Sequence, residues 1–137
     1  MLYDMKDKVA FVTGAGGYIG NAVARHLASD GAKVAVCDIN TETAMKTVDQ
    51  IRAAGGEAEA FAIDVMSSQS VDAVMAAVVE KWGGVDISIH VAGGSARIAG
   101  KDADYCNLTG KGDRCIEIVL GVNLSARSTS AARRQDR

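Results

Sequence analysis

Residues 13–20 form a glycine-rich segment of a type that can bind phosphate groups. The segment reads TGAGGYIG, and it joins an apolar run at 8–13 to the start of a helical pattern. In this setting one glycine allows a sharp turn, one lets the backbone approach a pyrophosphate, and one lets the helix pack closely on the strand. The helix N-terminus adds amides and the positive end of a dipole. The segment therefore predicts a pyrophosphate-binding loop, and no Gly-Lys-Ser/Thr triplet follows to indicate a P-loop site.

An acidic residue follows the loop at a spacing that suits a dinucleotide. Asp38 ends a second apolar run at 33–38, close to the spacing of about 20 residues at which an acid binds both ribose hydroxyls of NAD. A carboxylate there repels the 2′-phosphate of NADP, so NAD is predicted in preference to NADP. The alternative is that Asp38 only opens a turn with Asn40, as aspartates at strand ends often do.

The elements that must position these residues alternate between two hydrophobic periods. Apolar runs at 8–13, 33–38, 59–64 and 85–92 predict buried strands. The segments between them show helical spacing, with Asn40 or Thr41 as one N-cap, Ser67 or Ser68 as another, and glycine pairs at 55–56 and 83–84 as stops.

Each helical segment has a predicted inner face. The expected inward residues are Ile19, Val23, Leu27 and neighbouring alanines in the first helix, Ala44, Met45, Val48 and Ile51 in the second, and Val71, Val74, Met75, Val78, Val79 and Trp82 in the third.

This alternation predicts an α/β fold, a three-layer doubly wound Rossmann arrangement with a parallel sheet. In such a sheet ligands bind beyond the carboxyl ends of the strands. Asp64-Val65 and Ala92-Gly93-Gly94 are expected at those ends, so they should face the same crevice as the glycine loop.

Composition and charge exclude several function classes. The net charge of −2 gives no basic field for nucleic acid or an anionic membrane. The apolar runs are far shorter than the ~20 residues that cross a bilayer, and the mixed charges at 1–8 do not form a secretory signal. Cys37, Cys106 and Cys115 lack Cys-x-x-Cys spacing, which predicts a reduced cytoplasmic protein with no metal site.

These features together resemble the short-chain dehydrogenase/reductase family over residues 5 to 124. The segments that carry the resemblance are TGAGGYIG at 13–20, Asp38, Asp64-Val65, VDISIHVAG at 85–93 and Val122-Asn123-Leu124.

The resemblance implies a role for each matched residue. Gly14, Gly17, Tyr18, Ile19 and Gly20 would line the pyrophosphate and ribose, Asp38 and Ile39 the adenosine ribose, Asp64 and Val65 the adenine, and His90, Ala92 and Gly93 the nicotinamide-side ribose. Asn123 matches the catalytic asparagine that holds a proton-relay water near the family's lysine.

Two matched segments depart from the family pattern. Tyr18 changes the usual TGxxxGxG spacing to TGxxGxxG, which is typical of extended relatives such as sugar-nucleotide epimerases. The downstream motifs favour the shorter oxidoreductases. The family's NNAG segment reads His90-Val91-Ala92-Gly93, where His90 is either a hydrogen-bonding substitute or a structural histidine.

The remaining catalytic residues of the family have no counterpart in this sequence. The family uses a Ser and a Tyr followed four residues later by Lys, but Tyr3, Tyr18 and Tyr105 have no Lys at that distance. Residues 1–124 are predicted to form the dinucleotide-binding Rossmann domain, with a sheet incomplete on its C-terminal side. Residues 125–137, rich in Ser, Ala and Arg, are expected to be a disordered or out-of-frame tail. We hypothesise a truncated or frame-shifted oxidoreductase, with a natural half-domain as the alternative.

The leading functional hypothesis is NAD-linked hydride transfer to or from a small alcohol or ketone, with this chain supplying the cofactor half. Whether the chain is itself an enzyme stays open. The alternatives are a non-catalytic dinucleotide-binding or sensor module, an inactive fragment and an epimerase-like enzyme, while the TG start and Asn123 argue against a methyltransferase. The family resemblance also implies homo-oligomers.

Overall fold

The computed structural model describes residues 4–93, so Asn123 and the predicted tail at 125–137 lie outside the described residues. Four strands and three helices alternate along the described part. In chain order they are β1 (Val9–Thr13), α1 (Tyr18–Ser29), β2 (Lys33–Asp38), α2 (Thr41–Ala53), β3 (Glu57–Ala62), α3 (Ser68–Trp82) and β4 (Ile87–His90).

The four strands form one parallel sheet in the order β3-β2-β1-β4. The chain moves outward from β1 to β3 and then crosses back to place β4 on the other side of β1. In register, Phe11 of β1 lies between Ala35 of β2 and Ser88 of β4. The strand order therefore reverses between β1 and β4, and this reversal is where doubly wound sheets bind ligands.

Helices cover both faces of the sheet and create two cores. On one face, Val71, Val74 and Val78 of α3 pack with Phe11 and Cys37. On the other, α1 and α2 pack on the alternate residues of the same strands, as Ala24 and Val48 do beside Val12 and Val34. Strand β1 is buried at every position, and the predicted three-layer α/β architecture is confirmed. No helix in the stretch 4–93 is long and apolar enough to cross a membrane.

The inner face of α1 differs from the prediction. Its buried residues are Gly20, Ala24 and Ala28, whereas Ile19 is 67% exposed and the larger Val23 and Leu27 are only partly buried at the flanks. The small residues recur every fourth position, so they form a flat stripe that brings the helix axis close to the sheet.

Predictions for one inward residue in each of the other two helices were wrong. Met45 of α2 and Val79 of α3 are exposed. The buried face of α2 instead includes Thr47, whose hydroxyl has hydrogen-bond partners.

The bounds of β3 and β4 also differ from the apolar runs that predicted these strands. Strand β3 occupies Glu57–Ala62 rather than 59–64, because its pairing with β2 ends where β2 ends. Strand β4 is shorter than 85–92 at both ends: it begins at Ile87, and it ends at His90 because the amides of Val91 and Ala92 both donate to the Thr13 carbonyl at 3.1 Å. Asp64 and Ala92 consequently lie in loops just past the carboxyl ends of β3 and β4.

Candidate functional site

The glycine loop between β1 and α1 is a tight turn pressed against the end of β4. Gly14 has a φ of +68°, and a Cβ atom there would lie 2.6 Å from the Ala92 amide nitrogen. The Gly17 amide closes the turn by donating to the Gly14 carbonyl at 3.1 Å. A side chain at position 14 would therefore be excluded both by backbone conformation and by space.

Gly20 lets the first turn of α1 lie directly on this loop. A Cβ atom at position 20 would overlap the Gly14 carbonyl oxygen. The start of the helix and the loop can therefore be this close only because position 20 has no side chain.

The N-terminus of α1 carries backbone donors that the described part of the protein does not use. The cap residue is Gly17, which is extended and offers no side-chain acceptor, and no acidic residue lies in the first turn. Among the described residues, the amides of Tyr18, Ile19 and Gly20 have no hydrogen-bond acceptor. Since the first amides of a helix have no partner within the helix and lie at the positive end of its dipole, this N-terminus can bind an anion.

Asp38 joins the glycine loop to the end of β2. One carboxylate oxygen accepts from the Gly16 amide at 2.9 Å, and the other accepts from the Asn40 amide at 2.9 Å. The turn with Asn40 is therefore present, and the half-buried carboxylate also lines a cavity. Each oxygen has a second lone pair, so the carboxylate can still accept hydrogen bonds from a ligand.

That cavity, about 500 Å³ in volume, opens beyond the carboxyl ends of the strands. Its volume lies in the range usual for cofactor sites, roughly 300–1,000 Å³. Most of the predicted cofactor residues line it, namely Gly14, Gly17, Tyr18, Ile19, Gly20, Asp38, Ile39, Asp64, Val65, Ala92 and Gly93. The structure thus brings these residues together, while their contacts with a cofactor stay a prediction.

Three cavity residues were missed by sequence reasoning: Ile63, Val91 and Met66. Met66 could have been found, since Asp64 accepts a hydrogen bond from its amide at 2.9 Å, a turn that aspartate favours two residues before the donor. Met66 and Ile39 are both exposed, so they form apolar walls at the mouth of the cavity.

His90 does not line the cavity within the described structure. Its Nε2 atom lies 3.2 Å from the Ser88 hydroxyl on the same face of β4. Its contact with the nicotinamide-side ribose stays a prediction, as does the role of Asn123 outside the described residues.

Cys37 precedes Asp38 but is not a reactive group. Burial raises the pKa of its thiol far above the ordinary range, and the neighbouring Asp38 charge raises it further. A neutral buried thiol is a poor nucleophile, so Cys37 serves as packing below the cavity. Within residues 4–93 no three His, Cys, Asp or Glu side chains are grouped to bind a metal ion.

Comparison with protein families gives one match that covers most of the chain. The family described as short chain dehydrogenase matches residues 8–126. The match includes the glycine loop, Asp38 and the cavity-lining segments after β3 and β4.

Curated relatives are similar over the same region. The chain is 45% identical to 2,3-dihydro-2,3-dihydroxybenzoate dehydrogenase of Bacillus subtilis over 89 residues, which are 65% of this chain and 34% of that protein. It is 40% identical to the short-chain reductase protein NovJ of Streptomyces niveus over 119 residues, 87% of this chain and 42% of that protein. The chain therefore spans well under half the length of these relatives.

Solved structures share the fold and contain nicotinamide cofactors. An oxidoreductase from Haemophilus influenza with bound NAD superposes with a TM-score of 0.80 at 27% identity, covering 95% of this chain and 50% of that one. A metagenomic short-chain oxidoreductase in complex with NADP gives 0.79 at 32% identity, covering 93% and 54%. These two neighbours differ in their cofactor, so the choice between NAD and NADP rests on residues of this chain.

Proposed function

The chain belongs to the short-chain dehydrogenase family, and from that premise we propose that residues 14–93 bind the adenosine and pyrophosphate part of a nicotinamide dinucleotide. The observation that carries the proposal is the start of α1. There, beside the cavity, the amides of Tyr18, Ile19 and Gly20 have no acceptor within residues 4–93. A pyrophosphate matches this arrangement because it supplies both negative charge and acceptor oxygens.

We propose NAD rather than NADP as the preferred cofactor. The Asp38 carboxylate is fixed at the cavity by two backbone amides, and its free lone pairs can accept the two ribose hydroxyls of NAD. Among the described residues that line the cavity, none is Lys or Arg. A 2′-phosphate would therefore meet the negative charge of Asp38 and no cation from the described lining, which favours the cofactor without that phosphate.

The adenine is proposed to lie between the apolar side chains around Val65. Ile39 and Met66 are exposed at the cavity mouth, and Asp64 turns the chain so that Met66 follows directly. Burial of such exposed apolar side chains against a flat ring is favourable by roughly 25 cal/mol per Å² of area removed from water.

For the family reaction, we propose hydride transfer with a small alcohol or ketone as substrate. We propose the reducing cytoplasm as its location, which is supported by the free buried thiol of Cys37. When bound, the nicotinamide accepts or donates the hydride. This chain's part is to bind and orient the dinucleotide, and Asn123 is proposed to hold a water for proton transfer.

A second candidate function is a dinucleotide-binding module without catalysis. This candidate stays open for the 137 residues given, since no tyrosine among them is followed four residues later by lysine. The family's proton transfer depends on that pair. The two candidates share the binding site and differ only in turnover.

Binding of the full chain to NADH and NADPH, measured in parallel by nucleotide fluorescence, tests the proposal. We expect NADH to bind at least about tenfold more tightly than NADPH, since a charge repulsion near 1.4 kcal/mol gives that ratio. Asp38→Asn should remove most of the preference, whereas Glu42→Gln, which removes an exposed charge paired with Lys46 outside the cavity, should keep it. Equal affinities in the unmodified chain would contradict NAD preference, and no binding of either nucleotide would contradict the site.

Turnover of NAD with a panel of secondary alcohols then separates the two candidates. Reduction of NAD above the rate without protein supports the oxidoreductase. Tight binding with no turnover supports the module.

A further inference from the structure

A buried hydroxyl ties the glycine loop to α2 from outside the cavity. Thr47 is only 1% exposed, and its hydroxyl donates to the Ala15 carbonyl in the middle of the loop at 3.0 Å. Thr47 is not a cavity-lining residue. Its contact with the loop therefore acts on the backbone that the ligand would meet and not on the ligand itself.

Asn21 of α1 orients this hydroxyl. Its side-chain nitrogen donates to the Thr47 hydroxyl oxygen at 2.8 Å and to the Gln50 side-chain oxygen at 2.8 Å, so both amide protons have an acceptor. A hydroxyl has one proton to donate. With Asn21 on its acceptor side, that proton is directed to the Ala15 carbonyl at 3.0 Å in preference to the Thr43 carbonyl at 3.3 Å.

The two amides on either side of the Ala15 carbonyl also have hydrogen-bond partners. The Ala15 amide donates to the Cys37 carbonyl at 3.1 Å, and the Gly16 amide donates to Asp38 at 2.9 Å. The Ala15 carbonyl is the remaining polar group between these two amides, and Thr47 is its side-chain partner. Thr47 thus completes the set of contacts that holds residues 15 and 16 in one orientation.

From this arrangement we infer that Thr47, oriented by Asn21, is a positioning residue for the dinucleotide site. It holds the Ala15 peptide so that the turn at Gly14–Gly17 and the first amides of α1 are in place before a ligand binds. The inference rests on the proposed function, because the benefit of a fixed loop is a smaller ordering cost on binding. A hydroxyl used only for packing would be replaceable by a methyl group of equal size.

Thr47→Val and Thr47→Ser separate these two roles in the full chain. Valine keeps the shape and removes the hydroxyl, whereas serine keeps the hydroxyl and removes the methyl group. We expect NADH to bind Thr47→Val about three- to tenfold more weakly, the range that follows from losing one hydrogen bond, and Thr47→Ser within about twofold of the unmodified chain. Thr41→Val is the matched control, because Thr41 is exposed on the first turn of the same helix.

Amide hydrogen exchange of the unliganded chain gives a second readout that needs no cofactor. The Gly17 amide, which closes the turn onto Gly14, should exchange several-fold faster in Thr47→Val than in Thr47→Ser. The Val36 amide in the middle of β2 should exchange equally in both. If Thr47→Val does not fold, Asn21→Ala removes the orienting amide at a half-buried position and should show the same two changes in milder form.

The inference is overturned if Thr47→Val matches the unmodified chain in both NADH affinity and Gly17 exchange, or if Thr47→Ser is impaired as much as Thr47→Val. The proposed function is tested separately, by whether the unmodified chain binds NADH. If the unmodified chain does not bind NADH, the dinucleotide proposal fails, and Gly17 exchange alone then decides whether Thr47 holds the loop.

Discussion

Helices α1 and α2 lie side by side on one face of the sheet, yet they begin in opposite ways. At α2, the Asn40 side chain accepts from the amides of Glu42 and Thr43, at 3.0 and 3.2 Å, and Glu42 places a negative charge in the first turn. At α1, the cap is Gly17, with no side-chain acceptor and no acidic residue. Within residues 4–93, the amides at the start of α2 thus have side-chain acceptors, whereas the first amides of α1 have none.

Helix α3 agrees with α2. Its cap residue Ser67 accepts from the Ser70 amide at 3.2 Å. Of the three described helices, the one without a side-chain cap is the one that begins at the glycine loop and faces the cavity. An uncapped N-terminus lowers helix stability by about 1 kcal/mol, and the pyrophosphate proposed to bind here would offset that cost by supplying the missing acceptors.

The largest effect is expected from adding a side chain at Gly20, where the start of α1 contacts the glycine loop. Gly20→Ala places a methyl group on the Gly14 carbonyl oxygen, so the loop or the helix must shift. We expect the free energy of unfolding to fall by about 1–3 kcal/mol, as for other overpacked sites, and NADH binding to be lost. Urea unfolding and nucleotide fluorescence measure the two changes.

Gly17→Ala is the control for that variant. Gly17 has a φ of −82°, and an added Cβ would lie 3.3 Å from the Gly14 carbonyl oxygen, which a small shift accommodates. Its unfolding free energy should stay within about 0.5 kcal/mol of the unmodified chain. If Gly20→Ala were as stable as Gly17→Ala, the close approach of helix and loop would not matter.

The next largest effect is expected from giving α1 a side-chain N-cap, as α2 has. Gly17→Asp adds a carboxylate that can accept from the amides of Ile19 or Gly20. We expect NADH to bind at least about tenfold more weakly, because the carboxylate takes the place of the pyrophosphate and repels it. The unliganded chain should gain roughly 0.5 kcal/mol in stability from the new cap. Unchanged NADH affinity would show that the pyrophosphate does not bind there.

A smaller effect, confined to stability, is expected at the start of α2. Asn40→Ala removes the acceptor for two amides, and the free energy of unfolding should fall by about 1 kcal/mol. NADH affinity should stay within about twofold, since the bond from the Asn40 backbone amide to Asp38 does not involve the replaced side chain. A large loss of affinity without a loss of stability would remove the distinction between the two helix starts.

The smallest effect is expected at α3. Ser67→Ala removes an acceptor for one amide, so thermal or urea unfolding should show a loss of about 0.5 kcal/mol. If Ser67→Ala lowered the free energy of unfolding more than Asn40→Ala does, the number of amides bound by a cap side chain would not determine how much that cap stabilises its helix.

The sequence was informative where a local pattern determines structure. The strand at Lys33–Asp38 was predicted, and the caps at Asn40 and Ser67 and the stop at Gly83 are each one of the two residues predicted, because each feature depends on a few neighbouring residues. The parallel α/β arrangement followed from the alternation of two periods, and most of the predicted cofactor residues lie around one cavity.

It was less informative where a residue's role depends on a partner far along the chain. Thr47 was not predicted to be buried, because nothing near it in sequence shows that α2 lies against the glycine loop. Ile19 was expected to face the core. Because Gly20 contacts the loop closely, the small residues of α1 face the sheet instead, and Ile19 is exposed at the cavity. The end of β3 could not be placed from its apolar run because the length of β2 sets it.

The most direct test of the central claim is to follow the backbone amides of the full chain by NMR while NAD is added. If the pyrophosphate binds at the start of α1, the amides of Tyr18, Ile19 and Gly20 should show large, saturable shifts. Little change is expected for Glu42, Thr43 and Ser70, whose amides already have acceptors. Saturation of the protein with NAD without shifts at those three α1 amides, or with equal shifts at all three helix starts, would contradict binding of the pyrophosphate at the start of α1.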